Sequence, residues 1–150
     1  MVHVVFQNAI AATYEGDLDW ETANLHALLL MTNTNADSPA SSIADTNAAL
    51  TLDECNATGY TEETVTTPAI SIDDTDYEME WTSDDWVFSG LSGDATRDYE
   101  GALLIKYVDG GTGDIPMLFI DFSTNVLKEA TQVTVPPHAT EGFYNVGQPA

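Results

Sequence analysis

The chain predicts a mainly β fold: an antiparallel β-sandwich or barrel-like domain with a short N-terminal helix and long surface loops. Three observations carry that expectation. The apolar runs are short and are bounded by clusters of Gly, Pro, Asn and Asp. The segment 76–81, "DYEMEW", alternates with a period of two, placing Tyr77, Met79 and Trp81 on one face and Glu78 and Glu80 on the other. Residues 99–122, "YEGALLIKYVDGGTGDIPMLFIDF", set two apolar runs on either side of a loop of Gly and Asp, residues that tolerate positive φ.

In chain order, "VVFQNAIAATYEG" repeats apolar residues at helical spacing, with Val5, Ala9, Ala12, Phe6 and Ile10 on or near one stripe and Gly16 as the stop. "LHALLLMTN" is too short and too uniformly apolar for a helix between Asn and Asp boundaries, and reads as a buried strand. Residues 32–56 are rich in Thr, Asn, Ser and Asp and read as a long loop excursion, with Ile43, Leu50 and Leu52 as its anchors to the core. "ETVTTPAISID" is strand-like, and Pro68 confines it to an edge or a bulge. Trp86, Val87 and Phe88 follow "TSDD" and are expected to cover one end of the core. "TQVTVPP" forms a further strand stopped by Pro136 and Pro137, and Phe143 and Tyr144 in the tail form a final edge element. No internal repeat of fixed period is visible.

A chain of 150 residues fits one domain, 1–150, with an N-terminal segment 1–20, the excursion 32–56 and a tail 138–150. A hydrophobic fraction of 43% is ordinary for a folded domain, so disorder is not expected. The charge is not ordinary. Asp and Glu number 25 against three basic residues, Arg97, Lys106 and Lys128, for a net charge of −22. Such a surface repels itself at moderate ionic strength. Screening lengths fall from roughly 10 Å at 0.1 M salt to about 3 Å at 1 M, so concentrated salt removes most of the penalty. The composition points to a protein that works in brine. It argues against nucleic acid and against anionic membrane surfaces as partners, since both require clustered Lys and Arg.

One cysteine, Cys55, excludes an intrachain disulfide and supplies no metal-binding pair. The longest apolar run, "LHALLLM", is far short of a membrane span. The first twenty residues lack the basic and apolar regions of a secretion signal, so the chain is expected to stay in the cytosol until assembly.

Chemistry-bearing motifs are scarce. The sequence contains no dinucleotide fingerprint, Walker loop, nucleophile elbow or H-E-x-x-H helix. "GLSG" and "DGGTGD" read as turns rather than phosphate cradles. His3, His26 and His138 share no ligand spacing, and His26 reads as a satisfied core or interface imidazole. Cys55 reads as a small half-buried residue. The carboxylate groups Asp17 with Asp19, Asp73 with Asp74 and Asp76, and Asp84 with Asp85 read as solvated surface, and "DDTDYEMEWTSDD" lacks the glycine and terminal glutamate of an EF-hand loop. "NAT" at Asn56 is a glycosylation sequon in a loop. The expectation is therefore no catalytic, cofactor or metal residues, and no enzyme.

The strand series nonetheless resembles a family of small virion structural proteins of tailed phages and related archaeal tailed viruses. The resemblance covers roughly residues 20–137. It rests on Thr58, Gly59, Tyr60 and Thr61 before the middle strands, on Trp86, on Gly101, Ala102, Leu103 and Tyr107 in one strand, and on Ile120, Asp121 and Phe122 in its neighbour. The chain departs from the family pattern at "EET" after the GYT element and in the long approach "GLSGDATRDYEG". What the resemblance implies is a capsid decoration (cement) protein that binds the major capsid protein lattice as a symmetric homo-oligomer, in a virion assembled in the cytoplasm of a halophilic host. A tail, neck or baseplate component is a second reading. A glycan-binding sandwich, with Trp20, Trp86 and Tyr144 stacking on sugars, is a third. The N-terminal segment and the 32–56 excursion are the expected partner contacts, since loops carry function on rigid scaffolds.

Overall fold

The computed structural model describes residues 2–73, 78–136 and 144–147. Asp74, Asp76, Tyr77, Pro137, His138 and Phe143 lie outside the described residues, as do the side chains of His3, Asp73 and Tyr144. The elements are β1 (Val2–Val5), α1 (Gln7–Glu15), β2 (Leu25–Met31), β3 (Glu63–Thr64), β4 (Ala69–Asp73), β5 (Glu78–Thr82), β6 (Trp86–Ser89), β7 (Tyr99–Lys106), β8 (Ile115–Val126), β9 (Gln132–Val135) and β10 (Tyr144–Gly147). They form a five-stranded sheet in the order β1-β8-β7-β2-β3, a three-stranded sheet β10-β5-β4 and a β6-β9 ribbon. All these pairings are antiparallel. The fold is mainly β and sandwich-like, and no barrel closes among the described residues.

The large sheet is built around the 99–122 hairpin. β2 and β7 are apolar at nearly every position because both faces of this sheet are covered; Leu29, Leu30, Leu103, Leu104 and Ile105 are fully buried. Met117, Leu118, Phe119 and Ile120 of β8 complete the centre. Gly101 sits beside a register shift in the β7-β8 ladder. A side chain there would come within 2.4 Å of the Ile120 carbonyl oxygen and of the Phe119 ring, so the close approach of the two strands requires glycine.

The N-terminal helix forms but starts later than its apolar periodicity suggests. Val5 lies in β1, paired with Leu118, and Phe6 is an extended, fully buried residue at the helix start. Gly16 ends α1 in the left-handed region at φ 82°, donating to the carbonyls of Ala12 and Thr13. Pro68 precedes β4, an edge strand of the small sheet, as a proline in this position should. The Ile70 N–H is capped by Glu21 Oε1 at 3.2 Å. β10 is the opposite edge.

The 32–56 excursion contains two 3₁₀ turns, Pro39–Ile43 and Asn47–Ala49, and returns along β2 through Cys55 N–H to Leu29 carbonyl and Met31 N–H to Asp53 carbonyl bonds. Leu50 and Leu52 pack on the core as expected. Ile43 does not: it is 67% exposed, and Ala36 and Ala44 are buried instead. Cys55 is also deeper than half-buried, at 5% exposure, and burial pushes its thiol pKa up.

Candidate functional site

Among the described residues, two concave places are each walled by one of the segments expected to meet partners. The first is a groove of about 370 Å³ between α1 and one face of the small sheet, lined by Ile10, Thr13 and Tyr14 of the helix and by Trp20, Ile70, Met79 and Trp81. Register explains its composition. Ile70 pairs with Trp81 and Ile72 with Met79, so the four side chains share one face. Trp20 and Trp81 pack edge to face with centroids 5.6 Å apart, and Trp81 Nε1 donates to the Trp20 carbonyl at 3.1 Å. Trp20 Nε1 donates to Thr13 Oγ1 at 2.7 Å, tying this floor to the helix. Above the floor, Tyr14 is 86% exposed and Ile72 82%, with Ile70 and Met79 also exposed.

The second place is a cavity of about 290 Å³ where the excursion meets the β7-β8 loop. Asp114, the last residue of "DGGTGD", is 2% exposed, and its Oδ1 accepts the N–H groups of Val108, Asp109 and Gly110 at 2.7–3.2 Å. Asp109 Oδ1 accepts from Gly111 and Gly113. The acidic residues of this loop therefore hold its backbone. The loop in turn holds the excursion, with Asn47 N–H donating to the Asp114 carbonyl at 2.8 Å and Ala48 N–H to the Thr112 carbonyl at 3.1 Å.

Glu54 and Glu62 line the same cavity. Tyr60 Oη donates to Glu54 Oε1 at 2.9 Å and accepts from Leu29 N–H. Partial burial, with Glu62 and Asp114 close by, raises the Glu54 carboxyl pKa above its ordinary value. Burial beside Glu54 pushes the Tyr60 phenol up strongly.

The residues singled out in the sequence are scattered among structural roles. His26 stacks on Tyr107 with centroids 4.4 Å apart and meets Glu62 Oε1 through Nδ1 at 2.9 Å. Asp19 caps its own turn, accepting from Glu21 N–H and Thr22 Oγ1, which lowers its pKa. Asp84 accepts from Thr66 Oγ1. Among the described residues, no three His, Cys, Asp or Glu side chains come together as a metal-binding group. Asn56 is exposed, but its amide is committed: Nδ2 donates to Thr96 Oγ1 and Oδ1 accepts from Thr96 N–H.

The GYT element proves to be a clamp. Thr58 donates through N–H and Oγ1 to the two carboxylate oxygens of Asp94, both at 2.8 Å, while Gly59, at φ 89°, lets the chain approach Gly90 more closely than a Cβ allows. The sugar-stacking role assigned to Trp86 and Trp20 is overturned by burial, at 1% and 6% exposure. Trp86 donates to Ser83 Oγ inside the core.

Sequence reasoning missed Tyr14, Ile72, Asn47 and Asp114. Strand alternation around Ile70 and Ile72 carried a signal for the groove. No motif marks the cavity, because its residues converge from four separate segments. No family model matches the chain, and no curated protein or solved structure matches it either.

Proposed function

We propose that this chain is a virion structural protein, a decoration protein that docks on the outer surface of a capsid shell and associates as a symmetric oligomer. The observation that carries the reading is the apolar groove. In a chain of net charge −22, the exposed side chains of Tyr14, Ile70 and Met79 line one groove, and Ile72, also exposed, shares the sheet face of Ile70 and Met79. Contiguous exposed apolar surface of this kind, rimmed by polar residues, marks contact with another protein. The shell protein is its occupant in this reading. The resemblance carried by Thr58, Gly59, Tyr60, Trp86, Gly101 and Tyr107 supports the same conclusion, as does a rigid sheet with loops fixed by clamps rather than left free. Many weak contacts repeated over a lattice would stabilise a shell without one strong interface.

The test is copy number. Quantitative mass spectrometry of purified particles should find this chain in a stoichiometry matching the shell lattice. A few copies per particle would remove the decoration role and place the chain in the tail, neck or baseplate.

A further inference from the structure

The acidic cavity carries a second inference, which rests on the shell-docking reading only for who the partner is. Its acceptors are in surplus. Asp114 receives three hydrogen bonds on Oδ1 alone, Glu54 receives one on Oε1, and Glu62 meets His26 through Oε1. Asn47 adds a fourth acceptor: it is 7% exposed, lines the cavity, and its Oδ1 is buried with no hydrogen-bond partner. A buried orphan acceptor costs stability unless something donates to it. No basic side chain lines the cavity. Arg97 is occupied by Asp53, and Lys106 reaches the Asp17 carbonyl. The remaining wall is hydrocarbon from Leu28, Leu50 and Leu52 together with the loop residues Gly110, Gly111 and Thr112.

An acceptor-rich rim beside an aliphatic wall matches a cation carried on a methylene stem. The volume of about 290 Å³ is at the small end for ligand sites, which span roughly 300–1,000 Å³. We propose that this cavity receives a lysine or arginine side chain presented by the partner protein, its head group on the free acceptors of Asn47, Glu54, Glu62 and Asp114 and its stem on the leucines. The chain itself has almost no cations, so the charge complement comes from outside. Among the described residues no three carboxylates gather closely enough to hold one metal ion, which favours an extended head group and stem.

The experiment is a titration of the isotopically labelled full chain with Nα-acetyl-arginine amide and Nα-acetyl-lysine amide, followed by amide NMR at about 1 M KCl to screen non-specific attraction. Saturable shifts confined to the Asn47, Gly111, Thr112 and Asp114 amides are expected, with about tenfold weaker binding in Glu54→Gln. That variant keeps an acceptor for Tyr60 and removes a strained charge, so its thermal midpoint should not fall. Shifts spread along the whole acidic surface, or unchanged in Glu54→Gln, would overturn the proposal. So would saturable shifts at these amides with calcium chloride and none with either amide, which would make the cavity a metal site. The particle copy number is measured separately: a shell-like stoichiometry with a silent cavity removes this inference alone, and binding by the isolated chain stands whatever the copy number.

Discussion

The two main sheets apply the same rule of alternation and end differently. In the five-stranded sheet, Leu103 is fully buried, and the apolar stretches of β2, β7 and β8 are covered on both faces. In the three-stranded sheet, Trp81 is buried at one end of an apolar face while Ile72, on the same face, is 82% exposed. The first sheet is buried at its centre; in the second, Ile70, Ile72 and Met79 remain exposed. Burial stabilises an apolar side chain by about 1.5–3 kcal/mol, and that gain is collected at Leu103 and left uncollected at Ile72. Exposed apolar surface of this kind is the ground on which the docking proposal rests.

Four changes break or sharpen this contrast. The largest effect is expected for Gly101→Val, which drives a side chain into the Ile120 carbonyl and the Phe119 ring and should prevent cooperative folding, seen as loss of the unfolding transition by circular dichroism. Leu103→Ala should fold but lose about 2–5 kcal/mol in denaturant titration, since the packed sheet cannot collapse around the cavity. A loss under about 1 kcal/mol would show that the large sheet is less tightly built than its burial implies.

The pH response is smaller and has two signs. Asp53 is held below its ordinary value of 3.8 by the Arg97 guanidinium, so its contribution is full above that value and is lost as the pH falls through the lower folded pKa. Glu54 and Glu100 are raised above 4.5 by burial, so they oppose folding as the pH rises from 4.5 through their folded values. Thermal midpoints in constant concentrated KCl should therefore rise on acidification from neutrality and fall again below about pH 3.8. Glu54→Gln should flatten the upper limb. The smallest effect on stability is expected for Ile72→Ser, under about 1 kcal/mol at an exposed edge position. Its effect on particle incorporation should be large, and normal incorporation would sever the groove from the docking reading.

Much of the framework was legible in residues alone. β2 and the β7-β8 hairpin follow from uninterrupted apolar runs between turn residues, and Gly16 marked the end of α1 because its left-handed conformation is a local property. β1 was not legible. Four residues, "VHVV", continue smoothly into a helical stripe, and only pairing with β8 makes them a strand. The same limit explains Ile43, whose exposure depends on how shallowly the excursion lies. It also explains Asp114, an ordinary loop aspartate until three N–H groups converge on it.

By itself, then, the sequence determined the mainly β class, the buried strands, the hairpin and the acidic surface, because periodicity, turn chemistry and net charge are properties of neighbours along the chain. Tertiary structure alone decided which apolar residues remain uncovered and which acceptors remain unpaired. Those outcomes depend on segments far apart in sequence meeting in space, as Tyr14 and Met79 come to line one groove and Asn47 bonds to Asp114.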